Sequence, residues 1–151
     1  MGHFSYRGEW SSGTEISAWG LLYGVEAAGG LHLSESLRLG AGLQYFVLPS
    51  PEGLRDNESV TGETGRGGVV GGYLGWRSDF GLRIDGILGY GGLGNDSTGG
   101  WGLGVFPGLG YETRGATRLS VMGRVFVMAT SADHESGSAT GFQLVASVGV
   151  H

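Results

Sequence analysis

Two short stretches of the chain carry the residue types used in hydrolytic and acyl-transfer chemistry. His32-Leu33-Ser34-Glu35 sets an imidazole, a hydroxyl and a carboxylate within four positions, and Asp133, His134 and Ser136 repeat the set. A serine becomes a nucleophile only when a base is held within hydrogen-bond reach of its hydroxyl. The Gly- and Ser-rich stretch Ser131–Thr140 offers no visible means of holding one. The expectation is a non-enzymatic chain. Metal chemistry is no better supplied: His3, His32, His134 and His151 are scattered, with no pair at ligand spacing on one strand face. Asp56-Asn57-Glu58 and Asp133/Glu135 fall short of the ligand count of a dedicated Ca²⁺ loop. Gly91-Gly92-Leu93-Gly94 lacks the strand–loop–helix context of a phosphate loop. Neither a cofactor nor a metal is expected.

The remaining chemistry-bearing residues are charges spaced by two. Arg7, Glu9, Glu26, Arg38, Arg83, Asp85, Glu112, Arg118 and Arg124 all sit at alternate positions opposite an apolar face. Five Arg stand against four carboxylates in that set, and Arg pairs with carboxylate through bidentate hydrogen bonds. The net charge of −5 supplies no basic footprint for nucleic acid. With no Cys there is no disulfide framework. Glycine contributes 34 of 151 residues against 3 Pro, while 40% of the chain is hydrophobic, which excludes a disordered chain. No run reaches the roughly 18 apolar residues of a membrane helix, and since Met1-Gly2-His3 leads into a polar alternating stretch without an apolar h-region, no signal peptide is expected in the given chain.

The elements that position these charges are strands. "LRLGAGLQYFVL", Leu37–Leu48, alternates with period two, and the same pattern recurs in eight segments. They are Phe4–Trp10, Ile16–Leu33, Leu37–Leu48, Gly68–Trp76, Phe80–Gly91, Trp101–Glu112, Arg118–Thr130 and Gly141–Val150. Short turns (34–36, 77–79, 113–117) alternate with longer polar loops (11–15, 49–66, 92–100, 131–140), as in an antiparallel meander. Residues 1–151 read as one domain with both termini on the short-turn side. The oily parity carries no charge in any segment that can be oriented, whereas the other parity mixes Gly, Arg, carboxylates, Phe and Met. That second set makes a poor surface for a soluble protein and a good filling for a narrow barrel. In Gly68–Trp76 both parities are apolar, so this segment cannot be oriented.

Aromatic residues then mark two rims. Phe80 and Tyr90 bracket one oily face and Trp101 and Tyr111 the next, and Trp10 and Trp19 join the same outward set. Ten residues of tilted strand span roughly 23 Å, close to the ~25 Å apolar band of a membrane barrel. The fold expected is an eight-stranded antiparallel up-and-down transmembrane β-barrel with its polar residues in the lumen. Pro107 is expected to mark a bulge.

With this pattern the chain resembles the small eight-stranded outer-membrane barrels of Gram-negative bacteria, of the outer membrane protein X and OmpA membrane-domain type. "YGVEAAGGLHLSESLRLGAGLQYF", Tyr23–Phe46, is the most typical piece. The resemblance implies a monomer in the bacterial outer membrane, with lipid (or detergent) as its solvent. It also implies a structural or surface role of the adhesion or defence type, with loops 49–66, 92–100 and 131–140 available to an extracellular partner. Members of such families usually end in an aromatic residue, whereas this chain ends Val148-Gly149-Val150-His151. Two alternatives remain open. One is a soluble lipocalin-like barrel binding an apolar ligand. The other is a lipid-modifying barrel enzyme, since His32-Leu33-Ser34 resembles the His-x-Ser segment of lipid A deacylases and Asp133, His134 and Ser136 resemble a palmitoyltransferase set.

Overall fold

The period-two pattern is realised almost everywhere. The structure, a computed structural model, describes all residues except 11, 12, 57, 96–98, 116, 133, 134 and 151. Ten strands form one antiparallel sheet: β1 (Gly2–Trp10), β2 (Glu15–His32), β3 (Leu37–Leu48), β4 (Glu52–Arg55), β5 (Glu58–Thr61), β6 (Gly65–Arg77), β7 (Leu82–Gly94), β8 (Gly99–Glu112), β9 (Thr117–Ala132) and β10 (Glu135–Val150). Eight of them close into a ring in the order β1-β10-β9-β8-β7-β6-β3-β2, with β2 returning to β1. There is no helix among the described residues.

Following the registers once round the ring from Leu109 of β8 returns to the same strand at Gly99, a stagger of ten residues. At 3.3 Å per residue and 4.8 Å between strands, that stagger tilts the strands by about 41° and sets a radius of about 8 Å. A barrel of this width has no room for a channel once its inward side chains are in place.

The two strands not expected from the sequence arise in the stretch 49–66. β4 continues the line of β3 along β2, pairing Glu52 with Trp19 and Arg55 with Ile16. The break between β3 and β4 falls at Pro49-Ser50-Pro51, where Ser50 takes a left-handed φ of 42°. β5 folds back on β4 alone, so this hairpin rises beyond the barrel at its loop end.

Four further expectations are corrected by the structure. β1 is turned the other way: Phe4 and Gly8 are buried inside, while His3, Ser5, Arg7 and Glu9 are exposed outside. The N-terminal end of β1 lies at mid-wall, Gly2 opposite Gln143 and Leu22, and only the β10 end reaches the short-turn side. Phe80 lies in the turn before β7, not in a strand; Gly81 follows with φ 99°, and a side chain there would meet both that strain and the Tyr111 ring. Pro107 makes no bulge. The β8–β9 register is the same on both sides of it, with pairing interrupted only at Phe106 and Pro107.

Candidate functional site

The lumen divides along its axis into an apolar half and a charged half. Towards the loop end, inward positions of seven strands supply Phe4, Leu22, Phe46, Val69, Ile87, Phe106, Phe126 and Met128, all buried. Phe46, Phe106 and Phe126 pack ring on ring at 5.5–6.5 Å between centroids and plug the barrel. A Cβ on Gly67 or Gly141 would fall within the Phe46 or Phe126 ring, which is why the wall opposite these rings is glycine. Above the plug lies a small apolar cup of about 220 Å³, bordered by Phe4, Leu48 and Leu93.

The charged half begins at Arg124, which is fully buried. Its Nη2 donates to Asp85 Oδ1 at 2.7 Å and to Glu26 Oε1 at 2.9 Å, and its Nη1 donates to the Phe106 carbonyl at 2.7 Å. The last contact falls where the β8–β9 ladder is interrupted at Pro107. Arg83 bridges downward: its Nε donates to Asp85 Oδ2 at 2.8 Å, its Nη1 to Glu112 Oε2 at 2.9 Å, and its Nη2 to the Tyr73 hydroxyl at 2.9 Å. The Tyr73 hydroxyl in turn donates to Asp85 Oδ2 at 3.1 Å.

Glu112 is the hub of the turn end. Four guanidinium groups converge on its carboxylate: Arg38 at 2.9 Å, Arg83 at 2.9 Å, Arg118 at 3.4 Å and Arg77 at 3.7 Å. Counting Arg124, five Arg meet three carboxylates (Glu26, Asp85, Glu112), a surplus of two positive charges among these inward groups.

Of the nine charges expected in the lumen, seven are there and in mutual contact. Arg7 and Glu9 are not, because β1 turns its other face inward. Sequence reasoning missed Tyr73 and Arg77. Both lie on the inward, odd-numbered parity of β6 with Val69, on a segment whose two faces are almost equally apolar. The only signal available was that Arg77 continues the parity of Val69 and Tyr73 by fours.

Among the described residues, those singled out for catalysis are not assembled into a site. Ser34 serves the β2–β3 turn, accepting a hydrogen bond from the Leu37 N–H at 3.1 Å and meeting Ser36 at 3.4 Å. His32 and Glu35 are exposed at the same turn. Asp133 and His134 lie outside the described residues, as does Asn57 of the acidic loop; Ser136 is exposed on the outer face of β10. No cluster of three or more His, Cys, Asp or Glu able to hold a metal occurs among the described residues.

On the outer wall, Tyr90 and Trp101 stack at 6.3 Å between centroids at the loop end. Tyr111 is exposed ten residues below Trp101 on the same strand, and Trp19 is half-buried beside β4. The side chain of Trp10 lies outside what the structure describes. Compared with the chain, no family model, no curated protein and no solved structure matches.

Proposed function

We propose that the protein is a transmembrane β-barrel of a bacterial outer membrane, closed to conduction and without catalytic activity, that holds its loop-end strands and turns at the outer surface. The observation that carries this reading is the composition of the outer wall. Leu39, Leu43, Val70, Leu74, Ile84, Leu88, Leu103, Val105, Leu109, Val121, Val125 and Leu144 are all at least 44% exposed, and together they encircle most of the ring. An apolar surface of this extent is far larger than the few hundred Å² that a soluble monomer presents. In every strand oriented from the sequence except β1, the oily parity that a lipocalin-like protein would use to line its cavity is outside.

Dimensions support the same reading. From Trp101 to Tyr111, ten residues at a tilt of about 41° rise roughly 25 Å, the height of the apolar band of an outer-membrane barrel. The ring's stagger also brings Ser5 and Arg7 roughly level with Trp101. The outward charges of β1 thus fall at or above the aromatic rim, where charge is tolerated.

Refolding from urea with and without detergent micelles, read by circular dichroism and by gel mobility before and after boiling, tests this directly. A β spectrum and a heat-sensitive mobility shift only in detergent are expected. A compact β fold in plain buffer would overturn the reading.

A further inference from the structure

Inward-facing glycines of the barrel wall fall into two groups. Around the plug they are fixed by packing, since a Cβ on Gly67 or Gly141 would overlap the Phe46 or Phe126 ring. Around the cup above the plug they are not. A Cβ on Gly65 would first meet Leu48 at 3.3 Å, and one on Gly100 would first meet Thr130 at 3.1 Å. At both positions the three nearest atoms belong to adjoining strands, and none comes from across the lumen. These glycines leave a space of about 220 Å³ that the described residues do not use for their own packing.

We propose that the cup is a binding site for a small aromatic molecule, a single ring carrying a hydroxyl group. Size sets the first limit. A dry apolar cavity of about 150 Å³ holds benzene, so the cup in proportion holds about nine non-hydrogen atoms. An acyl chain of myristoyl length would need roughly half as much space again. Shape favours a ring: Phe4, Tyr6 and Pro51 present flat faces to the cup, and the glycine walls between them are flat as well. Polarity supplies the hydroxyl. Thr130 is buried at the wall of the cup, and no hydrogen bond among the described residues uses its side chain. One placed polar group in an apolar lining is the usual means of orienting a small ligand.

The border of the cup gives the direction of entry. Gly62 and Glu63 lie just after β5, and Gly94 and Gly99 stand at the ends of β7 and β8. Gly94 pairs with Gly99 two residues beyond the Gly92–Trp101 pair, so this border lies past the aromatic rim. A ligand therefore enters from water at the loop end and not from lipid. Only that last step rests on the transmembrane reading; the cup itself rests on the ring and the β4–β5 hairpin.

The probe is p-cresol, titrated into the refolded, isotope-labelled barrel and read from backbone amide shifts. The titration is run in detergent or buffer, whichever holds the folded barrel, so failure of the transmembrane reading and failure of the cup stay separate. Saturable shifts at Gly65, Gly100 and Thr130 are expected, with no saturable shift at Leu109 on the outer wall. T130V should weaken p-cresol by about five-fold, the worth of one neutral hydrogen bond, and leave toluene, which lacks the hydroxyl, unchanged. A18L and L93F add bulk to the cup from two different strands, and each should abolish binding of both probes. The second filling variant keeps the test decisive where the first does not refold. Filled variants that bind as the parent does, or shifts at Gly100 that never saturate, overturn the proposal. An equal effect of T130V on p-cresol and toluene removes the hydroxyl from it. Decanoate that saturates the same amides more tightly than p-cresol also overturns it, giving the cup to an acyl chain.

Discussion

Arg124 joins the two halves of the lumen, and its replacement is the most informative single change. Truncation to Met keeps the aliphatic bulk but leaves Asp85 and Glu26 without their shared guanidinium. Breaking a buried ion pair from one side costs about 3–5 kcal/mol. R124M should therefore lower the urea midpoint of unfolding in detergent, followed by tryptophan fluorescence. D85N combined with R124M should recover part of the loss, because it removes one of the stranded charges. Glu112 behaves differently: E112Q leaves four Arg around a neutral amide, so its destabilisation should shrink as salt is raised, which the R124M loss should not do. The screening reaches the partly exposed Arg38 and Arg77, 22% and 19% exposed, and not the enclosed Arg124. Most of this network was legible from residues alone, since seven charges at alternating positions need an enclosed and paired setting. Tyr73 and Arg77 were not, because a segment apolar on both faces does not announce which side is inside.

At the scale of strands, the outer wall makes a depth-dependent prediction. V105R sits midway between Trp101 and Tyr111 and should cost about 2–4 kcal/mol in a bilayer, whereas S131R, paired with Trp101 at the rim, should cost about 0–1. Equal effects of the two substitutions on unfolding in lipid vesicles would contradict a membrane-spanning wall. The β4–β5 hairpin makes a second prediction. β3 already pairs with β6 up to Leu48 and Gly65, so the ring does not depend on the hairpin. Replacing residues 50–63 with a short Asn-Gly turn should leave the heat-sensitive mobility shift intact. The case of β1 shows where strand-level reading fails. Its alternation is as clear as that of β3, yet its oily face points inward. Near the loop end the lumen is an aromatic core while the outer surface has reached the polar rim, so the preference of an oily face reverses with depth.

For the whole molecule, the aromatic plug and the ion-pair network stack along one axis in a barrel of about 8 Å radius, a width that inward side chains can fill. Planar bilayer recordings of the refolded protein should show no discrete conductance steps. Steps that vanished in a plug-enlarging variant would instead mark a gate. What the sequence by itself determined is the strand content, the alternation, the identity of most inward charges and the height of the apolar band. Those follow from side-chain chemistry spaced by two, which is local to each strand. What only the tertiary structure decided is the orientation of β1, the pairing of four Arg on Glu112 and the β4–β5 hairpin. Each depends on where closure of the ring sets one strand against another, and register between distant segments is not written in the periodicity of either.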